Sequence, residues 1–412
     1  MQIVNKEMII LYVCFFGYWF YDNYKNNGFN ISSFLLLLYM CSSVISVILL
    51  YGYERYDQDR INLYAIIFHV FCYFLFLKPL ISFGNRLDLS KIQFPQIKFI
   101  KLISLFIILL SVASFAVNIP KMLYSFSFAE LSEARKLHNA RELFDNEKGI
   151  LEYLGSLGTA LSYYSLFFFF YFLAFYRRNK LIIFLLFFSS FAIVVNNLAI
   201  MGRDGIIRWL LFFVSLYIFF KDYLEFDIKN KIKRTALIPA IAFIGILGSI
   251  TFSRFGERDY SVFYSVLSYA GQQNIYFSYN FEQFMDGLAG GRMNFSYFFT
   301  NRVSINNLNE IVYADYNLNT FSSFVGSFYM DLGLIKTFIL ALFLFIFNSF
   351  FLLRINFFKL IYFLIIYEVV LLSLFYYMFY SPTRVNTLIL FLLLCYVIYM
   401  HKRIILKKNN LK

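Results

Sequence analysis

The chain of 412 residues is 60% hydrophobic and only 15% charged, with a mean hydropathy of +0.66. That balance excludes a soluble globular domain and fits a polytopic membrane protein. The formal charge of +13 does not point to nucleic acid, because the Lys and Arg gather beside apolar runs, as the positive-inside rule expects.

Crossing the hydrocarbon core takes roughly 20 apolar residues. On that measure about eleven spans are predicted, near 7–22, 31–53, 61–83, 98–119, 150–176, 181–200, 204–220, 235–252, 328–352, 357–379 and 385–401. Backbone groups in lipid must pair within their own segment, so the spans are helices and the fold class is all-α. The apolar run 8–20 has no small-residue cleavage site after it and is expected to stay as the first span. Cys14, Cys41, Cys72 and Cys395 all fall inside spans, which leaves no disulfide framework. With His69, His138 and His401 as the only histidines, no metal centre is expected. The 57 Phe and 34 Tyr match what an AT-rich coding sequence supplies, a simpler account than sugar stacking. No internal repeat is visible, so 1–412 reads as a single polytopic domain.

Orientation follows from the basic loops. Arg177, Arg178 and Lys180 form one basic turn, Lys229, Lys231, Lys233 and Arg234 another, and Lys402, Arg403, Lys407 and Lys408 lie in the tail. All three fall on one side, which places the C-terminus in the cytoplasm. Two long polar segments then face outward: a first outer loop at 120–149 and a large one at 253–327, between the eighth and ninth spans. Long loops on a rigid scaffold commonly carry function.

The candidate chemistry lies on that outer side. In the turn Met201-Gly202-Arg203-Asp204-Gly205, Asp204 and Arg208 are spaced to pair on one helix face. Arg203 then has no local partner, and Gly202 and Gly205 let backbone approach a ligand. The turn reads either as an interfacial anchor or as an anion clamp at a helix N-terminus. Ser253-Arg254-Phe255-Gly256-Glu257-Arg258-Asp259 places two arginines and two acids beside the membrane, on the side where orientation does not require positive charge. Around Arg135 and His138, Leu131, Ala134 and Leu137 recur at helical spacing. That predicts an amphipathic helix in the first outer loop. The large loop adds Arg292 after Gly290-Gly291, and Arg384 lies in another outer turn. Glu368 stands near the middle of a span, where a carboxylate needs a partner or a proton; His69 and Lys78 are possible partners. A proton-coupled transporter is the alternative that this residue suggests. No nucleotide-binding glycine loop is present, so any activated group must come from another donor, such as a lipid diphosphate.

Three stretches together resemble the Wzy-type polymerases of O-antigen, capsule or exopolysaccharide repeat units. They are Asn197-Leu198-Ala199-Ile200-Met201-Gly202-Arg203-Asp204-Gly205; Leu267-Ser268-Tyr269-Ala270-Gly271-Gln272-Gln273 with Tyr279-Asn280-Phe281; and Ser327-Phe328-Tyr329-Met330-Asp331-Leu332-Gly333. The resemblance implies a GT-C-like glycosyltransferase in the bacterial inner membrane, active on the extracytoplasmic face. Its substrates would be oligosaccharide units on undecaprenyl diphosphate, with no cofactor or metal. Its partners would be membrane lipid, a flippase and a chain-length regulator, with no nucleic acid. Under it, Arg203, Arg254 and Arg258 are expected to hold the diphosphate, with Arg135, Arg292 and Arg384 as further candidates. Glu257 leads as acceptor base, ahead of Asp204, His138 and Asp331; Asp331 can instead cap the helix after Gly333. A flippase or transporter for lipid-linked oligosaccharide and an O-antigen ligase are the alternatives.

Overall fold

The computed structural model describes residues 6–53, 56, 60–127, 149–202, 204–232, 234, 245, 248, 262–295, 323–372, 374, 382–400 and 403–405. Among these the protein is helical apart from one short pair of strands. Six helical stretches are long and apolar enough to cross a membrane: Ile31–Gly52, Leu63–Arg86, Ile97–Phe126, Ile150–Phe175, Lys180–Ala199 and Leu334–Phe351. The span predicted at 235–252 lies almost wholly outside the described residues. The chain groups into two compact units.

The first unit contains α1 (Ile10–Asn27), α2 (Ile31–Gly52) and α3 (Leu63–Arg86). Three asparagines join these helices at one end. Asn30 donates to Asn85 at 3.0 Å, Asn85 to Asn23 at 2.6 Å, and Asn23 to the Ser33 hydroxyl at 2.9 Å. Asn30 also caps α2 by accepting from the Ser33 N–H, which satisfies one of the unpaired donors of the first turn.

Later in the chain come α4 (Ile97–Phe126), α5 (Ile150–Phe175), α6 (Lys180–Ser189), α7 (Ala192–Ala199) and α8 (Asp204–Phe220), all of the second unit. Helices in lipid associate through small residues and interhelical hydrogen bonds, and the α4–α5 pair does so. A Cβ at Gly158 would collide with the Leu110 carbonyl, and one at Gly155 would lie 3.3 Å from the Ser114 Cα. Ser114 and Thr159 hydroxyls bond at 2.8 Å, and Lys121 pairs with Glu152 at 2.6 Å. The predicted span 181–200 is broken at Ser190–Phe191, between α6 and α7.

The chain then returns to the first unit with α9 (Val262–Tyr279). This 18-residue helix lies inside the segment 253–327, expected as a large loop. Its polar letters are spent against α2. Ser42 donates to the Ala270 carbonyl at 2.7 Å, Ser46 to the Gly271 carbonyl at 2.6 Å, and Asn274 to the Ser46 hydroxyl at 2.9 Å. A Cβ at Gly271 would come within 2.7 Å of the Ser46 nitrogen, so glycine is what lets the two helices touch.

The span predicted at 328–352 is two helices, α10 (Ser323–Leu332) and α11 (Leu334–Phe351). Gly333 separates them at φ +79°, where an added Cβ would lie 2.5 Å from the Met285 carbonyl. Left-handed backbone in that space admits glycine alone. At the far end of α11, Arg86 donates to the carbonyls of Leu352 and Leu353, both at 3.2 Å, completing the unpaired acceptors of the last turn. Next come α12 (Phe357–Leu372), whose larger part from Tyr362 onward belongs to the first unit, and α13 (Pro382–Met400), almost all of it in the second; in the second unit β2 (Arg403–Ile405) pairs antiparallel with the earlier strand β1 (Gln93–Pro95).

The abundant aromatics mostly fill the interior. Among the largest fully buried side chains are Tyr163, Tyr164, Tyr171 and Phe167 of α5 and Tyr12, Tyr39 and Tyr73 of the first unit. Beside β1, the Asp88 carboxylate accepts from the Tyr223 and Ser90 hydroxyls, each at 2.6 Å, and from the Ser90 N–H at 3.0 Å. Partial burial pushes its pKa up, but the Ser90 and Tyr223 bonds and the nearby Lys91 charge outweigh this and hold it at about 2. Burial, then the bond to Asp88 and its charge, raises the Tyr223 phenol in turn.

Candidate functional site

In the first unit, the stretch after α9 is fastened to the junction of α10 and α11 by a carboxylate. Asp331 is fully buried, and a buried charge is tolerable only when its lone pairs are met. One oxygen accepts from the Gly291 N–H at 2.9 Å and, at the long distance of 3.4 Å, from the Met293 N–H. The other accepts from the Asn294 N–H at 2.7 Å and the Asn294 side-chain amide at 3.0 Å. The Asp331 main-chain carbonyl accepts from Gly290 at 2.8 Å, and Leu288 donates to Met330 at 2.7 Å. The reason for the glycines is local. Gly287 (φ +76°) and Gly333 (φ +79°) touch, and a Cβ on Gly287 would meet the Gly333 nitrogen at 2.5 Å. The result is a rigid loop, residues 287–295, that carries Arg292. The Arg292 Nε bonds the Ala289 carbonyl at 2.9 Å, and among the described residues Arg292 forms no ion pair.

This arrangement changes the reading of Asp331. The helix cap it could have supplied is absent, because α11 starts at Gly333 with no side-chain cap. A carboxylate with both oxygens engaged by N–H donors, and no exposure, is built to position a loop. Taking a proton from a substrate would cost it those bonds.

The stretch that leads into this loop, from the end of α9 to Glu282, lies beside α3. Asn62 caps α3 through the N–H groups of Tyr64 and Ala65, and its side-chain amide donates to Glu282 at 3.1 Å. Its own N–H donates to the Ser278 hydroxyl at 2.7 Å. Arg60, exposed, lies over the Tyr279 ring with its Cζ 5.0 Å from the centroid. Arg60, Asn62 and Glu282 were missed in the sequence. Their signal, a polar cluster at a helix start matched by one at a helix end, exists only once α3 and α9 are paired.

Deeper in the first unit, His69 is fully buried. Its Nδ1 lies 2.8 Å from the Tyr12 hydroxyl and its Nε2 3.1 Å from the Ser323 hydroxyl, with its ring stacked 3.8 Å from Phe277. Both ring nitrogens are therefore used by Tyr12 and Ser323, not by Glu368. Lys78 is exposed, and Glu368 is buried with a contact of its own.

In the second unit, the turn before α8 contains the predicted Asp204–Arg208 ion pair, at 3.1 Å. Asp204 also sits in the first turn of α8, where a carboxylate complements the helix dipole. The glycines here serve packing. Gly202 donates to the Asn197 carbonyl at 2.7 Å, and a Cβ on Gly205 would lie 2.6 Å from the Asn197 side chain. The room expected for a ligand at Gly205 is taken by Asn197. Arg203, Arg254, Arg258, Glu257, Arg135 and His138 lie outside the described residues, and of Arg384 only the backbone is described. Among the described residues, no three His, Cys, Asp or Glu side chains gather as a metal site.

No family model matches the chain, and neither does any curated protein or solved structure.

Proposed function

We propose that this chain is a membrane glycosyltransferase that polymerises oligosaccharide repeat units carried on undecaprenyl diphosphate, on the extracytoplasmic face of a bacterial inner membrane. The observation that carries the reading is the loop 287–295. A fully buried carboxylate, Asp331, is committed to holding a glycine-bearing loop that presents Arg292. A helical membrane protein that spends a buried charge on placing a cation has a use for that cation. An anionic leaving group is the use that the sequence resemblance supplies.

In the proposed reaction, an acceptor sugar hydroxyl attacks the anomeric carbon of the donor chain. The new C–O bond forms as the bond to the lipid diphosphate breaks. The hydroxyl proton passes to a base, and the diphosphate departs with the bonding electrons. Arginines suit the departing charge because a guanidinium can bind phosphate oxygens in bidentate fashion. Arg203, Arg254 and Arg258 are assigned to it, with Arg135, Arg292 and Arg384 in support. Glu257 is the first choice as base and His138 the second, since Asp331 is committed to its loop and Asp204 to Arg208.

Arg203→Ala and Arg254→Ala in cells that make the polymer test this directly. Loss of one preorganised donor costs about 100- to 1,000-fold in rate, so each variant should leave single-repeat product at normal protein level. Unchanged chain length would refute the assignment. The deletion strain separates the related activities. One-repeat material marks a polymerase, absence of exported units a flippase, and full chains left on the carrier lipid a ligase.

A further inference from the structure

The start of α3 and the length of α9 bring together aromatic rings and paired polar groups. Tyr53 and Tyr56 stand 4.6 and 6.3 Å from Tyr264, and Tyr56 stands 6.0 Å from Tyr276. Tyr276 meets Tyr279 edge-on at 5.9 Å, and Arg60 covers Tyr279. Unlike the fully buried tyrosines of α5, Tyr53, Tyr276 and Tyr279 are only half-buried, and Arg60 and Glu282 are exposed. The guanidinium engages the ring through its face, which leaves its N–H edge for another partner. Among the described residues Arg60 forms no ion pair.

We propose that Arg60, Asn62, Tyr276, Tyr279 and Glu282 form a binding subsite for a neutral pyranose residue. Such a ligand has apolar C–H faces that lie on tyrosine rings and hydroxyls that both donate and accept. The cluster supplies both partners, since Arg60 and Asn62 donate and Glu282 accepts. Its charge also selects. Glu282 and the exposed Asp286 in the same loop oppose an anion that Arg60 alone would draw. The Asn62 amide keeps the geometry, because it ties Glu282 to the first turn of α3. That the sugar belongs to the acceptor oligosaccharide rests on the polymerase reading; the subsite itself rests on the cluster.

The test uses the full chain in lipid nanodiscs, with saturation-transfer NMR to methyl glucoside and methyl galactoside and phosphorus-NMR line broadening of inorganic diphosphate as readouts. Wild type should saturate the ring protons of at least one glycoside. Tyr279→Leu should bind it about fivefold more weakly, and so should Arg60→Gln, whose exposed site keeps folding out of the question. No transfer in wild type, or equal transfer in both variants, overturns the subsite. Diphosphate binding lost in Arg60→Gln, with no glycoside bound, overturns it in favour of an anion site. Glycoside binding that persists while Arg203→Ala and Arg254→Ala leave chain length unchanged keeps the subsite and removes the polymerase reading.

Discussion

Two aspartates, Asp204 and Asp331, carry the same charge and make opposite use of it. Asp204 is half-exposed and reaches a cation one helical turn along its own helix. Asp331 is fully buried and, among the described residues, reaches no cation; its partners are backbone N–H groups and the Asn294 side-chain amide, from a loop 37 to 40 residues earlier in the chain. The first interaction is local, solvated and replaceable. The second is non-local, dry and without a substitute. A carboxylate that is cheap to keep says little about the structure around it, whereas one that costs several kcal/mol to bury reports a loop that must stay where it is.

Breaking the pair of cases in turn sharpens that contrast. Asp331→Asn should have the largest effect. The amide replaces one acceptor oxygen with a donor that faces N–H groups, a loss of about 2–4 kcal/mol. Trypsin cleavage after Arg292, protected in the wild type by the fastened loop, should speed up by about 30- to 1,000-fold. Equal cleavage of both proteins would show that the carboxylate does not hold the loop. Asp204→Asn should cost only about 0.5 kcal/mol, the range of a partly exposed pair four residues apart. Its melting temperature in detergent should stay within a few degrees of wild type; a large drop would mean that Asp204 carries a buried duty. The third effect is pH-linked and belongs to Asp88. Its folded pKa, about 2, lies below the ordinary aspartate value near 3.9. The stabilisation is thus complete above about pH 4 and fades as pH falls from there through about 2. Melting curves of wild type and Asp88→Asn should differ at pH 6 and converge towards pH 3; a constant gap would exclude the linkage.

What the sequence made legible is what local spacing determines. The apolar lengths mark the helices, and the spacing of Asp204 and Arg208 marks their pair. Gly202 and Gly205 were visible as tight positions, but their neighbour, the Asn197 side chain, was not. Three features escaped for one reason, namely that their meaning lies in a distant segment. The helix α9 looks like loop because Gln273, Asn274 and Ser278 lower its hydropathy, yet the first two face serines of α2 and the third the start of α3. The break at Gly333 is hidden because nothing local reveals that Met285 and Gly287 press against it. His69 looked like a partner for Glu368, while Tyr12 and Ser323, 57 and 254 residues away, hold its two nitrogens. Of the ten candidate site residues, Asp204, Asp331 and Arg292 fall where side chains are described: Asp204 makes the pair with Arg208 that its spacing predicts, Asp331 holds a loop that only the fold brings to it, and Arg292 lies on that loop.

The interruption at Gly333 bears on how the chain is made. Only the 18 residues of Leu334–Phe351 form a continuous rod there, about 27 Å at 1.5 Å per residue, near the thickness of the hydrocarbon layer. The ten residues of Ser323–Leu332 reach about 15 Å and carry a carboxyl group that lipid would reject. That short helix cannot partition by itself and has to be received by protein. Its receiver, Leu288 to Asn294, leaves the ribosome first. The donors that hydrogen-bond Asp331 are thus already synthesised when its carboxylate emerges, and the order of translation matches the order of assembly.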